Sequence, residues 1–106
     1  MRNLSDDIRH ETQRGVILMI LIRRGLEWVP FGELKQQLLR GQGYPLTDEE
    51  LRFQLLYLAD PARGYIEVEP LRLGRPQELE HLQVRATAKA VDLIDGRIPA
   101  DQGVAC

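Results

Sequence analysis

The sequence predicts a small α+β domain made of three helices, a β-hairpin and a short fourth helix. Two observations predict it: apolar residues recur at helical spacing up to residue 60, and from residue 65 extended formers flank a central turn. A length of 106 residues suits one domain with a single core and is too short for two. The composition, 43% hydrophobic and 28% charged, is that of a globular protein.

The first predicted helix begins at Ser5, which can cap it, and ends near Arg23, with Gly25 as its stop. It contains the longest apolar run of the chain, VILMILI at residues 16–22, which is far shorter than the roughly 20 residues that span a bilayer. The run therefore predicts a core helix and no membrane segment. A polar N-terminus unlike a signal peptide and a lone Cys106 lead us to expect a cytoplasmic protein.

The second predicted helix follows an extended link over residues 26–29 and begins at Pro30, because proline fits the first turn of a helix. We expect Gly41 and Gly43 to end it. Its predicted inward face consists of Phe31, Leu34 and Leu38.

The third predicted helix has the strongest start signal in the chain, because Thr47 and Glu50 stand at capping-box spacing. Its inward stripe is predicted to consist of Leu51, Leu55 and Leu58. We expect the helix to stop before Pro61.

After the third helix the pattern changes from helical to extended. Residues 65–73 and 79–86 are rich in strand formers, and GRPQ at 74–77 supplies turn chemistry, so the two segments predict a β-hairpin.

Thr87 can cap a last short helix, with Val91 and Ile94 inward and Gly96 as its stop. The tail, residues 97–106, has no periodic apolar pattern. We therefore expect a winged domain over residues 1–96 and a loosely held tail. Much of the core is predicted to come from Ile17, Met19, Ile20, Leu34, Leu38, Leu51, Leu55, Leu58, Ile66, Val68, Val84 and Val91.

Three helices followed by a β-hairpin wing and a short C-terminal helix is the element order of a winged helix-turn-helix domain. Three stretches strengthen this interpretation: IRHETQRGVILMIL at 8–21, LTDEELRFQLLYLAD with GYIEVE at 46–69, and ATAKAVDLIDGRIPADQGV at 86–104. In these the chain resembles a small family of winged-helix proteins found in Mu-like prophages. The resemblance implies a protein that binds double-stranded DNA in an undefined role. Together with the element order, it supports the expectation of transcription regulation in a phage or prophage.

Arg52, Arg72 and Arg75 are the candidate DNA contacts. Arg72 and Arg75 fall in the predicted hairpin, where they could contact a phosphate or the minor groove, and a solvated turn is the alternative. Arg52 is the single basic residue of the stretch 47–60, whose first turn holds three carboxylates, Asp48, Glu49 and Glu50. A net charge of −2 argues against strong nonspecific binding, because DNA-binding domains usually have a basic surface.

Phe53, Leu56 and Tyr57 are the candidate protein interface. On a helical projection that turns the three leucines inward, Phe53 and Tyr57 lie on the outer side and Leu56 lies on its flank. Aromatic side chains are enriched in buried interface cores, so we expect protein contact here, and coverage by the hairpin or the first helix is the alternative. This face and the apolar run at 16–22 lead us to expect a homodimer.

The sequence has no pattern that indicates catalysis. His10, His81 and Cys106 are far apart and form no ligand-spaced motif. The phosphate-binding loop, the nucleophile elbow and the HExxH pair are also missing. We therefore expect no enzyme, no metal and no cofactor. Two functions remain open: a DNA-binding prophage regulator acting as a dimer, and a winged-helix interaction module that does not bind DNA directly.

Overall fold

The computed structural model of the chain describes residues 4–42, 45–69 and 82–104. These residues form an α+β structure with four helices and a three-stranded antiparallel sheet in the order β1-β3-β2. The helices are α1 (Leu4–Arg23), α2 (Phe31–Gln42), α3 (Asp48–Ala59) and α4 (Ala88–Ile94). The strands are β1 (Val29–Pro30), β2 (Ile66–Glu69) and β3 (Gln83–Ala86).

The pairing of the two predicted hairpin strands is confirmed for residues 66–69 with 83–86, and residues 70–81 lie outside the described part of the chain. Ile66 lies opposite Ala86, and Val68 lies opposite Val84. Side chains alternate along β2, with Ile66 and Val68 buried and the two glutamates exposed, as expected for a strand with one face on the core. The turn at 74–77 lies outside the described residues.

Strand β1 was not predicted, because its first residue belongs to the segment at 26–29 that was expected to be an extended link. Val29 pairs with Val84 and Pro30 with Gln83, so β1 is an edge strand, where a residue without an N–H is tolerated. The prediction that Pro30 begins the second helix is therefore wrong, since α2 begins at Phe31. The Phe31 N–H donates to the Leu82 carbonyl at 2.9 Å, which joins the first residue of α2 to the residue before β3.

All the helices and strands contribute side chains to a single hydrophobic core, and the outer faces of the helices are exposed. Its fully enclosed members include Ile17, Leu18, Leu21, Val29, Leu34, Leu38, Leu51, Leu55, Leu58, Leu82 and Val84. The prediction that Met19 and Val91 belong to the core is wrong. Met19 is 37% exposed, because Ile17, Leu18, Ile20 and Leu21 turn the opposite side of α1 inward. Val91 is partly exposed, because α4 buries Ala90 and Leu93 instead, and Ile94 is likewise only partly buried.

The helix ends agree with the sequence in part. Gly25 has φ 72°, the left-handed conformation expected where α1 stops, and α3 ends at Ala59, before Pro61. Ser5 is wrong as a cap, since it lies inside α1, and Gly41 lies inside α2. Thr87 precedes α4, but its hydroxyl donates to the Gly64 carbonyl at 2.6 Å and does not cap the helix.

Residues 97–104 pack against the rest of the domain, which corrects the expectation of a loosely held tail for this part of it. Within the C-terminal segment (residues 97–104), Val104 is buried in the core and Ile98 packs against it. The Tyr65 hydroxyl donates to Asp101 Oδ2 at 2.9 Å, and the Arg14 guanidinium donates to the Gly103 carbonyl at 3.1 Å. These contacts attach the C-terminal segment to α1 and to the start of β2. Over the described ranges, no helix has both the length and the apolar character needed to cross a bilayer.

Candidate functional site

The most exposed line of side chains on α3 lies directly opposite its buried leucines. We call Glu49, Phe53, Leu56 and Asp60 the outer stripe. They recur at i, i+4, i+7 and i+11 along the helix and its C-cap, so they point within about 60° of one another. Phe53 is 53% exposed and Leu56 50% exposed. The outer stripe is thus apolar in the middle and acidic at both ends.

The other two carboxylates of the first turn are occupied within the domain. Asp48 accepts from Lys35 of α2 at 2.5 Å, and Glu50 lies 3.5 Å from Arg9 of α1. Glu50 also completes the predicted capping box, which is confirmed: its Oε1 accepts from the Thr47 N–H at 3.2 Å, and its own N–H donates to Thr47 Oγ1 at 3.1 Å. The backbone N–H of Thr47, foremost, lowers the pKa of Glu50.

An open groove of about 460 Å³ runs beside the outer stripe, between α1 and α3. Its walls include His10, Gln13, Arg52, Phe53 and Leu56. The His10 and Phe53 ring centroids lie 5.9 Å apart, so α1 supplies the facing wall. A second groove of about 360 Å³ shares these two rings and continues to Gln102 and Gly103 of the C-terminal segment.

The floor of these two grooves is polar and buried. Gln13, Arg14 and Gln54, here called the polar trio, are each at most 7% exposed. Arg14 Nε donates to Gln54 Oε1 at 2.7 Å, and Gln54 Nε2 donates to Gln13 Oε1 at 3.0 Å. Removal from water lowers the pKa of Arg14 below its usual value. The polar trio therefore joins α1 to α3 by a chain of satisfied hydrogen bonds under the exposed rings.

Tyr57 is held inside the domain and differs in this from its neighbours Phe53 and Leu56. The guanidinium carbons of Arg14 and Arg63 lie 3.5 Å and 3.8 Å from its ring centroid, and two groups so close must occupy opposite faces. Arg63 also donates to the Tyr57 hydroxyl at 2.7 Å. A methyl group at Gly103 would overlap this hydroxyl, so glycine permits the close approach.

The predicted interface residues are therefore separated. Phe53 and Leu56 are on the surface, and Leu56, expected on the flank, lies in the outer stripe itself. Tyr57 is only partly exposed and packs against the core, which corrects its expected place on the outer side. Its covering groups come from α1, Arg63 and the C-terminal segment.

Of the three candidate DNA contacts, Arg52 alone lies within the described residues. Arg52 is half-buried on the wall of the first groove, and among residues 4–42, 45–69 and 82–104 it makes no ion pair. Arg72 and Arg75 lie outside the described residues. Three arginines, Arg23, Arg24 and Arg40, line a separate groove between α1 and α2, where Arg24 pairs with Glu33.

Sequence reasoning missed the α1 side of the site. His10 gave no local indication of a site, because its importance depends on α3 packing beside it. Gln13 lies in a polar stretch of the sequence, so no local pattern indicated that its side chain is buried. Gln54 differs from these residues, because helical spacing from Leu51 and Leu58 places it toward the inward side of α3, and it is 1% exposed.

Comparisons of the chain with protein-family models, with curated proteins and with solved structures found no match. In the described part of the chain, no group of three or more His, Cys, Asp or Glu side chains is arranged to hold a metal ion.

Proposed function

We propose that this chain is a winged-helix domain that works as a protein-interaction module. The winged-helix assignment is supported by the element order α1-β1-α2-α3-β2-β3 and by the sheet order β1-β3-β2. In that arrangement α2 and α3 are the helix-turn-helix pair and β2 and β3 are the base of the wing. Because fold alone does not define function, the role is argued from the surface of α3.

The observation that carries the proposed role is the composition of the outer stripe. A base-reading helix presents its outermost side chains to the major groove, and those side chains are chiefly Arg, Lys, Asn and Gln. Here the same line holds Glu49, Phe53, Leu56 and Asp60. Its carboxylates would approach phosphates of the same sign, whereas two half-exposed apolar side chains beside a groove favour a protein partner.

The proposed setting is regulation in a phage or prophage, in the cytoplasm and without catalysis. The resemblance to winged-helix proteins of Mu-like prophages supports the setting. The partner is a second copy of the chain, as in a homodimer, or another protein. In either case Phe53 and Leu56 make the contact, and Tyr57 supports it from below.

The test uses two matched surface variants, Phe53→Asp and Leu39→Asp. Leu39 lies on α2 and is 52% exposed, nearly the same as Phe53 at 53%, so both substitutions place a charge at an equally exposed apolar position. We expect Phe53→Asp to abolish self-association in sedimentation, or retention of a protein from nuclease-treated bacterial extract. Leu39→Asp should retain both properties.

DNA titration is the second arm of this test. Random-sequence duplex DNA should show little binding to the wild type at moderate salt. Changing Asp48, Glu49 and Glu50 to Gln should leave association intact and raise nonspecific DNA affinity, because like-charge repulsion is removed. The proposed role would be contradicted if the wild type bound a specific DNA sequence and the Gln variant lost that binding, with its folding and oligomeric state unchanged.

Binding to double-stranded DNA is the second candidate function, and the winged-helix topology favours it. In that case the contacts would come from Arg52 and from the wing arginines, Arg72 and Arg75. The outer stripe of α3 would then stay out of the major groove.

A further inference from the structure

We infer that the outer stripe of α3 binds a basic amphipathic helix of another protein. This inference rests on the proposed protein-binding role and adds to it the chemistry of the partner. It follows from three features of the described surface: the apolar centre of the stripe, the carboxylates at its two ends, and its poor match to a second copy of itself.

The apolar centre has the shape that an amphipathic helix needs. Phe53 and Leu56 stand half-exposed one helical turn apart, with the groove of about 460 Å³ beside them. The facing wall includes His10, whose ring is tilted 52° against Phe53. A helix recognises such a groove with apolar side chains at i and i+3 or i+4, which interlock with the apolar side chains of the receptor.

The ends of the stripe select for positive charge. Among the described residues Glu49 makes no ion pair, and the Asp60 carboxylate accepts only the Ala62 N–H, at 2.8 Å through Oδ1. Arg9 pairs with Glu50 and Lys35 pairs with Asp48, so neither neutralises Glu49. Arg52, one turn along α3, lies on the groove wall and pairs with no carboxylate of the described residues. Two carboxylates eleven positions apart on a helix are separated by roughly 17 Å, about three turns. A partner helix with two Lys or Arg residues three turns apart could pair with both carboxylates, and apolar residues between them would contact Phe53 and Leu56.

A second copy of the chain matches the stripe poorly. If two copies of α3 packed antiparallel about a two-fold axis, with Phe53 of each against Leu56 of the other, Glu49 would face Asp60 of the second copy. This juxtaposition would occur twice, once at each end. Like charges held opposite each other oppose association, whereas a basic helix replaces both repulsions with attractions.

The experiment uses two labelled helical peptides of about 18 residues, long enough to populate a helix in water. Both carry leucines at the spacing of Phe53 and Leu56. The basic peptide has lysines roughly eleven residues apart on the same face, and the acidic peptide has glutamates there. Fluorescence anisotropy against the full chain should show about tenfold tighter binding of the basic peptide at low salt, with the preference declining as salt rises.

Three variants identify the surface. Phe53→Ser should weaken the basic peptide about tenfold. Leu39→Ser, at a position equally exposed on α2, should leave its affinity unchanged. Glu49→Lys should reduce the preference for the basic peptide and improve binding of the acidic one. Circular dichroism and the melting temperature, measured on each variant, check that the fold is retained.

The outcomes separate this inference from the proposed function. Equal binding of both peptides, tighter binding of the acidic peptide, or binding unaffected by Phe53→Ser overturns the basic-helix inference. The protein-interaction role survives these results if Phe53→Asp still abolishes self-association or retention from extract. That role fails only if the Asp variant matches wild type in both assays. Wild-type self-association lost in Phe53→Ser, without binding of the basic peptide, would assign the stripe to a second copy instead.

Discussion

The polar trio contains the buried polar side chains of the described structure. Gln13, Arg14 and Gln54 are buried among leucines, yet each finds a partner within hydrogen-bonding distance. A buried polar group contributes little when it is satisfied, but it is costly when its partner is removed. Gln54 is bonded to both of the others, so the position of α1 against α3 depends on this amide.

We expect Gln54→Leu to destabilise the domain by about 1–3 kcal/mol for each partner left unsatisfied, because Arg14 Nε and Gln13 Oε1 would both lose their bond. Urea unfolding measures the change. The matched control is Gln36→Leu, at an exposed position on α2, which should alter the unfolding free energy by about 0.5 kcal/mol or less. Equal stability of Gln54→Leu and wild type would show that the trio is dispensable.

Tyr65 gives the domain a dependence on alkaline pH. Burial, and secondarily the hydrogen bond to Asp101, raises the pKa of Tyr65 to about 12 from its usual 10. The folded state therefore holds this proton above pH 10, where the unfolded chain has released it. The resulting stabilisation is complete below pH 10 and is lost as pH rises toward 12.

We expect the wild type to lose its stability advantage over Tyr65→Phe between pH 10 and 12. Below pH 10 the Phe variant should be the less stable of the two, since Asp101 loses its hydroxyl donor. Denaturant unfolding of both proteins at several pH values isolates this group, because every other titrating residue is common to the pair. A constant difference across the range would mean that Tyr65 titrates normally.

At the scale of the element, α3 combines two requirements in one helix. Its first turn is acidic and capped by Thr47, which suits the positive end of the helix dipole. Its inward side packs three fully buried leucines against α1 and the sheet, and its outer side leaves Phe53 and Leu56 in water. The helix is therefore stabilised by its inward side and its capped first turn, and the outer stripe is available for binding.

Leu55→Ala should cost about 2–5 kcal/mol, as truncations of buried leucines do, and should unfold much of a marginal domain. Leu56→Ala, one position along the same helix and 50% exposed, is the matched control and should change the melting temperature little. Thermal unfolding followed by circular dichroism distinguishes the two. An unchanged melting temperature in Leu55→Ala would contradict the packing of α3 against the core.

At the scale of the whole molecule, positive charge is dispersed. The net charge is −2, and in the described part of the chain Arg9, Arg24, Lys35 and Arg85 each pair with a carboxylate. Neutralised arginines contribute little to phosphate binding, because an incoming phosphate must compete with the carboxylate already bound. Any DNA affinity would therefore depend on arginines outside these pairs.

If duplex DNA is bound, replacing Arg72 and Arg75 together by Ala should weaken binding to all sequences alike. On the counterion-release rule the salt slope should fall by about 2 at most. A mobility-shift titration over several salt concentrations provides the slope, and Arg23→Ala with Arg40→Ala, on the α1–α2 groove, is the control pair. An unchanged slope in the wing variant would exclude the wing as the DNA contact.

The sequence by itself determined the features that depend on neighbours a few residues apart. The capping box at Thr47 and Glu50, the leucine stripe of α3 and the alternation of β2 are set by spacing within a turn or a strand, and the structure contains all of them. The hairpin pairing was also predictable, because strand formers flank turn chemistry. The same local logic placed Phe53 on the outside of α3.

Tertiary structure alone decided which surfaces meet. Val29 forms part of a strand because it pairs with Val84. Met19 faces outward because the residues on either side of it, Leu18 and Ile20, occupy the inward side of α1. Tyr57 is covered because Arg14 also holds Gly103, which is 89 residues away along the chain. No pattern within one helix specifies such a partner, because the contact depends on where distant elements pack.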